Sequence, residues 1–454
     1  MTTALRVGAA KADISPVNGI QIAGDIGRYR PCTGIIAPIY ARALVLEQAG
    51  RRFCVLTLDL LSIDDPWAKE VRRRVAAKFG IPPAALLIHP TQNHAAPALG
   101  HYECRDSCRI IPEKYPWLRG GDPRYNEPAV AGILAAIGEA LAKLSPVTIA
   151  AGRAIDNRVA FNRRYVMRDG TALCQPAVCD PNILHVEGPI DPEVGVVTFT
   201  GGNGQVVAAL LHHTCHPCTG FAGNEAHPDW PGAWCNEMET HFGSACTPLV
   251  INGCCGNIIH RNFLNPDEEL NQDYRLFGRQ LAESTEVALH NMAPISGAPL
   301  GWASEVVPVP RRQLSPELLA EVSQLLRDHP EPLWSDNIRV NHDWVYAVGI
   351  TDLAELIQAE PNEPYEIQAV RVGEFALLGL MGEPFVEAQL NIKRESPFAF
   401  TQVAHMCNGY VGYIPTRHAL ARGGYETRTG WSSRLAPEAL EMIGSTAGRL
   451  LRSL

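Results

Sequence analysis

Short apolar runs typical of β-strands alternate with helical segments along this chain, and this order constrains the fold more than any other feature. Residues 40–48 (YARALVLEQ) and 53–60 (FCVLTLDL) predict two strands around a turn. Further strands are predicted at 84–90, 147–152, 194–199 and 206–213, and a hairpin-like pair at 369–380. Strands that alternate with helices predict a mixed α/β fold, in which large mixed sheets are flanked by helices.

The helices are predicted from apolar periodicity and from residues that start helices. Ser315 stands at a favoured N-cap position and Pro316 at the first helical position. Pro66 has the same role near the start of an earlier helix. The predicted helices span about 64–79, 126–144, 231–241, 271–291, 387–393 and 436–453, with one more beginning at 315.

Composition and charge exclude several functional classes. The 454 residues include 39 Lys+Arg and 48 Asp+Glu, a net charge of −9, which argues against a nucleic-acid binder driven by bulk charge. No run of 18 apolar residues predicts a membrane span, and the N-terminus has no apolar segment typical of a secretory signal. Thirteen cysteines without a regular spacing favour reduced thiols and a cytoplasmic location.

Polar residues that could carry chemistry follow four of the apolar strands. Ligands of α/β sheets gather beyond the carboxyl ends of strands, so these four segments predict one convergent site for a small-molecule substrate. The segments are Thr91–His94, His212–His216, the Gly-rich turn in INGCCGNIIH, and Gly382-Glu383-Pro384.

Each of these residues also has a structural interpretation. A single histidine at a strand end is more often a hydrogen-bonded structural residue than a ligand. Glu383 could simply lie in the first turn of a helix. The Cys215–Cys218 spacing resembles a zinc knuckle or a redox pair, but no second such motif follows.

The order of the motifs resembles the neutral/alkaline, non-lysosomal ceramidase family, over its N-terminal catalytic domain. KADISP resembles the family's Ala-Asp-Ile-Thr segment, and TQNHAAP lies where the family has Thr-His-Thr-His-Ser-Gly-Pro. The other matching segments are GIIAPIYARALVLE, AFNRRYVMRDG, HHTCHPC, HPDWPGAW, INGCCGNIIH, MGEPF and NGYVGYIPT followed by GGYE. Their shared order over most of the chain carries the resemblance.

The resemblance implies a zinc site held by two histidines, a glutamate and a tyrosine. His216, Glu383 and Tyr413 match three of these ligands, and Gln92 occupies the position of the first histidine. An amide oxygen is a weaker zinc ligand than an imidazole nitrogen. The resemblance further implies that His94 helps to hold an oxyanion, and that Arg163 and Tyr425 contact the reacting group.

Two departures from the family pattern affect the expected chemistry. Ile259 stands where the family has its nucleophilic serine, so a water would have to attack the substrate. The chain ends in a helix soon after the tyrosine motif, and we expect residues 1–454 to form a single ceramidase-like catalytic domain without the C-terminal immunoglobulin-like domain.

These observations favour a metal-dependent hydrolase that uses Zn²⁺ or another divalent ion on a soluble amide, ester or sugar-derived substrate. Asp229 is a candidate base, although it could instead be an acid at a helix N-terminus. One alternative is a metal-free binding protein or inactive homologue on the same scaffold. Another is a glycosidase that uses a carboxylate pair such as Asp229 and Glu383. The sequence leaves a homo-oligomer open.

Overall fold

The computed structural model describes residues 4–268, 273–295 and 299–454, and it confirms the mixed α/β class. The start of the helix predicted from Asn271 lies outside the described residues. The helices are α1 (Asp65–Phe79), α2 (Pro123–Ala142), α3 (Asp229–Phe242), α4 (Tyr274–His290), α5 (Pro316–Asp328), α6 (His342–Ala359), α7 (Val386–Glu395), α8 (Arg417–Arg422) and α9 (Ala439–Ser453). Short 3₁₀ turns lie at Pro83–Ala85, Pro116–Arg119 and Tyr425–Thr427.

The strands belong to one large sheet, a second sheet of four strands and several small ladders. In chain order they are β1 (Arg6–Asp13), β2 (Gly34–Ile35), β3 (Tyr40–Gln48), β4 (Arg51–Leu58), β5 (Leu86–Pro90), β6 (Ser145–Ile155), β7 (Phe161–Asn162), β8 (Arg164–Met167), β9 (Ala172–Cys174), β10 (Ile183–Val186), β11 (Glu193–Gly201), β12 (Val206–His213), β13 (Glu225–Ala226), β14 (Thr247–Asn252), β15 (Ile258–Ile259), β16 (Ala293–Ile295), β17 (Leu300–Pro310), β18 (Asn362–Val372), β19 (Phe375–Leu380), β20 (Glu383–Pro384), β21 (Phe400–Ala404) and β22 (Tyr413–Ile414).

The large sheet has the strand order β14-β12-β11-β6-β1-β3-β4-β5, and β16 pairs with β6. Only two residue pairs join β1 to β6, so the sheet has a weak joint there. Residues from both sides of this joint share one hydrophobic core. Strand β11 is buried on both faces: Val197 and Phe199 face that core, and Val194 and Val196 contact the cluster formed with α3 and α4. Burial of both faces explains why β11 appears in the sequence as a nearly continuous apolar run.

The second sheet has the order β17-β18-β19-β21, and α9 covers it. Ile367, Leu378 and Val403 of the sheet share a core cluster with Ile443 and Leu451 of α9. Its outer strand β17 contains prolines in the segment 307–310, where the sequence predicted no strand. Proline is tolerated here because β17 is the edge strand and pairs on one side only.

The local signals for helix ends are confirmed at α1 and α5. The Asp64 carboxylate caps α1 by accepting a hydrogen bond from the Trp67 backbone N–H, and the Ser315 hydroxyl accepts one from Leu318 at the start of α5. No sequence pattern predicts α6. Its buried residues include the nearly continuous run Val345–Ile350, so the 3.6-residue apolar period that reveals surface helices is absent.

Within the described residues, none of the helices has the length and apolar character that crossing a membrane requires.

A buried ion pair inside the large sheet generates a stability prediction. Arg42 of β3 contacts both Asp59 carboxylate oxygens, at 2.7 and 2.6 Å, and both side chains are almost fully buried. The Asp59→Asn variant leaves a buried guanidinium without its counterion, so we expect the free energy of unfolding to fall by about 3–5 kcal/mol. Denaturant titration measures this change.

The control is Asp65→Asn, which breaks the exposed pair between Asp65 and Lys69 on α1. We expect a much smaller shift of its unfolding midpoint. Equal midpoints for the two variants would contradict a structural role for the buried pair.

Candidate active site

One buried asparagine ties together the loops that follow three strands. The Asn252 side-chain amide donates to the Thr91 carbonyl and to the Cys215 carbonyl, each at 3.0 Å, and its Oδ1 accepts from the Cys215 N–H. The backbone N–H of Asn252 donates to His89 Nε2 at 2.9 Å. The carboxyl ends of β5, β12 and β14 are therefore held against one another. They are three of the four strand ends that the sequence predicted to converge.

The His216 imidazole is held in a single tautomer. Its Nδ1 lies 2.6 Å from the Cys255 carbonyl oxygen and 3.0 Å from the Ile258 carbonyl oxygen. Carbonyl oxygens only accept hydrogen bonds, so Nδ1 carries the proton. In the neutral ring the Nε2 lone pair then points at the Glu383 carboxylate, whose Oε2 is 3.2 Å away. Burial, reinforced by the charge of Arg163, lowers the pKa of His216.

Glu383 lies on a short parallel ladder that also positions Tyr413. The two residues are register partners in the β20–β22 pair. The Tyr410 hydroxyl donates to Glu383 Oε1 at 3.1 Å. Gly256 allows the approach of the Gly-rich turn, because a Cβ at this position would clash with the carbonyl oxygens of Glu383 and Pro384.

His94 presents a second imidazole to the same space. Its Nδ1 lies 3.0 Å from the Gly24 carbonyl oxygen, which makes Nδ1 the donor. Nε2 is buried and has no hydrogen-bond partner among the described residues. The ring centroids of His94 and His216 are 5.9 Å apart, and burial holds the pKa of His94 well below its usual value. Both imidazoles therefore border the outer cavity.

Gln92 lies at the same centre in an unusual backbone conformation. Its φ is 69°, in the left-handed region that few non-glycine residues adopt. The Cys255 thiol donates to its Oε1 at 3.3 Å. Such strain persists where the surrounding structure holds a residue in place, and it clusters at functional sites.

Arg163, Tyr413 and Tyr425 form the neighbouring wall. The Tyr413 and Tyr425 ring centroids are 5.7 Å apart, and the Arg163 guanidinium lies 5.4 Å from the Tyr413 ring centroid. Arg163 donates through Nε to Glu426 at 2.8 Å and through Nη2 to the Gly256 carbonyl at 2.7 Å. These contacts fix its orientation toward the tyrosines.

Two cavities meet at these residues. The outer one, of about 570 Å³, is bordered by His94, His216, Arg163, Tyr413 and Tyr425. An inner one of about 40 Å³ is bordered by Gln92 and Glu383 as well as His94, Tyr413 and Tyr425. The structure thus brings together seven of the eight residues that the sequence singled out.

Asp229 is the exception. It is fully buried and lines neither of these two cavities. Its carboxylate accepts hydrogen bonds from the Thr219 N–H, the Thr219 hydroxyl and the Trp230 N–H, at the start of α3. These contacts agree with the structural interpretation of Asp229 as an acid at a helix N-terminus rather than with its role as a base.

Ile259 borders the outer cavity as an apolar side chain. It is 2% exposed, and it packs in a small cluster with Tyr165, Met167 and Phe263. The thiol of Cys218, which borders the same cavity, has its pKa raised to about 12 by burial and is a poor nucleophile at neutral pH. Neither side chain therefore supplies a ready nucleophile.

His216 Nε2 and the Glu383 carboxylate are donor types that a divalent cation binds, and they lie 3.2 Å apart. Within residues 4–268, 273–295 and 299–454, however, no group of three or more His, Cys, Asp or Glu side chains is placed to hold a metal ion. A complete shell would have to draw on Gln92 or Tyr413.

Comparison with known proteins finds ceramidases both by sequence and by fold. No protein-family model matches the chain. A neutral ceramidase of Pseudomonas aeruginosa is 24% identical over 93% of this chain and 68% of its own length. The crystal structure of a neutral ceramidase from Pseudomonas aeruginosa superposes with a TM-score of 0.74 at 21% identity, over 99% of this chain and 74% of that one. A ceramidase complexed with C2 gives 0.73 at 19% identity, over 99% and 75%.

The chain is similar to neutral ceramidases in sequence and in fold. The resemblance read from the motifs is thereby confirmed, together with the fold class. The activity, the site residues and the metal stay predictions.

Sequence reasoning missed two residues of the ceramidase-like site. Tyr410 stands three residues before Tyr413 in NGYVGY. Glu103 is the last residue of the segment LLIHPTQNHAAPALGHYE, which begins with strand β5. Glu103 borders the inner cavity beside Glu383, and its buried Oε1 has no hydrogen-bond partner among the described residues. The signal that could have found them is their position, since Tyr410 lies inside the NGYVGYIPT motif and Glu103 lies a few residues after TQNHAAP.

The Glu103 carboxyl generates a prediction about pH. Burial, with a smaller contribution from Asp25, raises its pKa to about 8. Between about pH 4.5 and 8 the unfolded chain has released this proton and the folded chain has kept it, so the free energy of unfolding falls as pH rises. Glu103→Gln removes this dependence. We expect the melting temperature of the variant, relative to that of the wild type, to increase between about pH 5 and pH 9.

The control is Glu321→Gln at an exposed position of α5. Its melting temperature should follow that of the wild type at every pH. A constant difference between Glu103→Gln and the wild type across the range would show that Glu103 ionises normally.

Proposed function

We propose that this chain is a hydrolase that cleaves an amide, ester or sugar-derived bond in a small molecule, with the help of a divalent metal ion, Zn²⁺ first among them. His216, Glu383 and Tyr413 would hold the ion, with Gln92 or His94 as a further ligand. One observation carries the proposal: the Nε2 lone pair of His216 faces a carboxylate oxygen of Glu383 at 3.2 Å.

Two acceptor atoms at this distance repel unless a cation lies between or beside them. A proton could supply that charge, but burial lowers the pKa of His216 and disfavours the imidazolium form. The unpartnered Nε2 of His94 adds a second lone pair to the same region. A metal ion beside His216 and Glu383 would satisfy the acceptor atoms of both.

When bound, such an ion supplies Lewis acidity and a water of lowered pKa. This chemistry suits a chain in which Ile259 occupies the nucleophile position. The protein's own residues would bind and orient the substrate. Arg163, fixed by Glu426, and Tyr425 would donate hydrogen bonds to the oxygen on which negative charge develops. Tyr410 would orient the Glu383 carboxylate.

The proposed substrate is small and polar rather than ceramide, although the relatives are ceramidases by name. Arginine and histidine side chains border the outer cavity, and they favour a polar ligand. The cytoplasmic location expected from the cysteine content belongs to the same proposal.

A second candidate function is a metal-free binding protein on the same scaffold. It is favoured by the lack, within the described ranges, of a cluster of three or more His, Cys, Asp or Glu side chains placed for a metal. In this case a proton on His216 or Glu383 would satisfy their contact. The glycosidase alternative finds no support in the pair Asp229 and Glu383, because the buried Asp229 lines neither cavity of the site.

Metal content separates the two candidates. We expect about one metal ion per chain in the wild type, and a stabilisation of about 2.7 kcal/mol when a metal is present at 100 times its Kd. The variants His216→Ala and Glu383→Ala should lose the bound metal and the stabilisation by added metal, since each variant removes a proposed ligand. Elemental analysis and thermal unfolding with added Zn²⁺, Mn²⁺ or Ca²⁺ measure the two effects.

The matched controls are His418→Ala and Glu321→Ala, at exposed positions of α8 and α5. They should keep the metal. Less than about 0.1 metal per wild-type chain, with no stabilisation by any of the three ions, would favour the binding protein.

A further inference from the structure

The outer cavity has an excess of positive charge in a chain whose net charge is −9. The charged side chains that border it are Arg163, Arg261, Arg339 and Asp25. Asp25 is the single carboxylate among the described residues of this lining. A cavity with one sign of charge and low-dielectric walls concentrates ligands of the opposite sign.

Two of the three arginines already have partners. Arg163 pairs with the buried Glu426 at 2.8 Å. Arg339 contacts both oxygens of Asp25, at 2.9 and 2.8 Å. Arg28 contacts the same carboxylate at 3.3 Å, so two guanidinium groups share one negative charge.

Arg30 adds further positive charge behind the wall. Its guanidinium is fully buried and donates to backbone carbonyls, including those of Ala23, His94 and Gly220. Burial lowers its pKa to about 10, which still leaves it protonated at neutral pH. The region around Asp25 therefore has more guanidinium groups than carboxylates.

Arg261 differs from the other arginines of the cavity. It forms no salt bridge with any residue in the described part of the chain, and its buried Nε lacks a hydrogen-bond partner there. The guanidinium lies 4.8 Å from the ring centroid of Phe263, which supports it on one side. It follows Ile259 by two residues, so it stands next to the expected reacting position.

Glu268 lies near enough for the charge of Arg261 to lower its pKa, against the burial that raises it, but the two side chains form no salt bridge. An arginine with free donors in a fixed fork matches a carboxylate or phosphate group.

We propose that the outer cavity recognises an anionic group of the substrate through Arg261. This inference rests on the proposed function and names its substrate class: small amides or esters that carry a carboxylate or a phosphate. The reacting bond would lie toward His94 and His216, and the anionic group toward Arg261, with Ile259 between them. The surplus charge around Asp25 would add long-range attraction for the same ligands.

Binding of small probes to the full-length protein tests the proposal without activity. The probes are inorganic phosphate, N-acetylglycine and the neutral N-acetylglycinamide, measured by calorimetry. We expect wild-type protein to bind phosphate or N-acetylglycine at least tenfold more tightly than the neutral amide. Phosphate alone would indicate a phosphorylated substrate, and N-acetylglycine alone a carboxylate.

The variant Arg261→Gln should weaken anion binding at least tenfold, and Arg261→Lys should restore part of it because the positive charge returns. Arg109→Gln, at an exposed position outside the cavity, is the matched control. Anion binding that is equal in wild type and Arg261→Gln, or equal for the acid and the neutral amide, would overturn the proposal.

The variant Glu383→Ala separates this proposal from the metal site. We expect it to lose metal and to keep anion binding, since Arg261 does not depend on Glu383. If wild-type protein binds no metal but binds anions through Arg261, the proposed function fails and the anion site stands. If it binds metal and no anion, the reverse holds.

Discussion

The account of this site depends on how the His216 imidazole is held. Two backbone carbonyls, from Cys255 and Ile258, fix the proton on Nδ1 and leave Nε2 to face Glu383. Both carbonyls belong to the Gly-rich turn after β14, so the protonation state of the histidine is set by the conformation of a loop. That loop approaches Glu383 because Gly256 has no side chain to obstruct it. A neutral imidazole and a carboxylate in this contact need a metal ion or a proton between them, and the proposed chemistry takes the metal ion.

The fold brings these groups together by placing parallel strand pairs around one centre. The strand pairs β4–β5, β12–β14 and β19–β21 are parallel. The loops that follow the two strands of each pair therefore leave the sheet on the same side. Asn252 then ties the loops after β5 and β12 to its own strand. Residues far apart in sequence therefore lie close together in the site. A substitution of Asn252 would displace several of them at once.

The sequence predicted much of the scaffold and less of the chemistry. Helices with clear caps, such as α1 and α5, were predicted well because the capping signal is local. Helix α6 was missed because burial on many sides removes the apolar period, and the edge strand β17 was missed because its prolines resemble a loop. In the site, motif order identified seven of the residues that meet. Orphaned atoms such as His94 Nε2 and Glu103 Oε1, and the open guanidinium of Arg261, emerge only from tertiary packing.

The site also separates what is shared with the ceramidases from what differs. Fold and motif order agree with them over nearly the whole chain. Gln92 and Ile259 differ from the family pattern at the positions expected for a ligand and a nucleophile. His94, two residues further along the same loop, matches the family's other histidine, and its buried Nε2 has no hydrogen-bond partner among the described residues.

Anomalous X-ray scattering from crystals grown with Zn²⁺ tests the central claim most directly. The account predicts a single strong peak at the zinc edge within coordination distance of His216 Nε2 and Glu383, roughly 2.0–2.2 Å from each ligand atom. Crystals without such a peak, in which the imidazole and the carboxylate stay in direct contact, would contradict it.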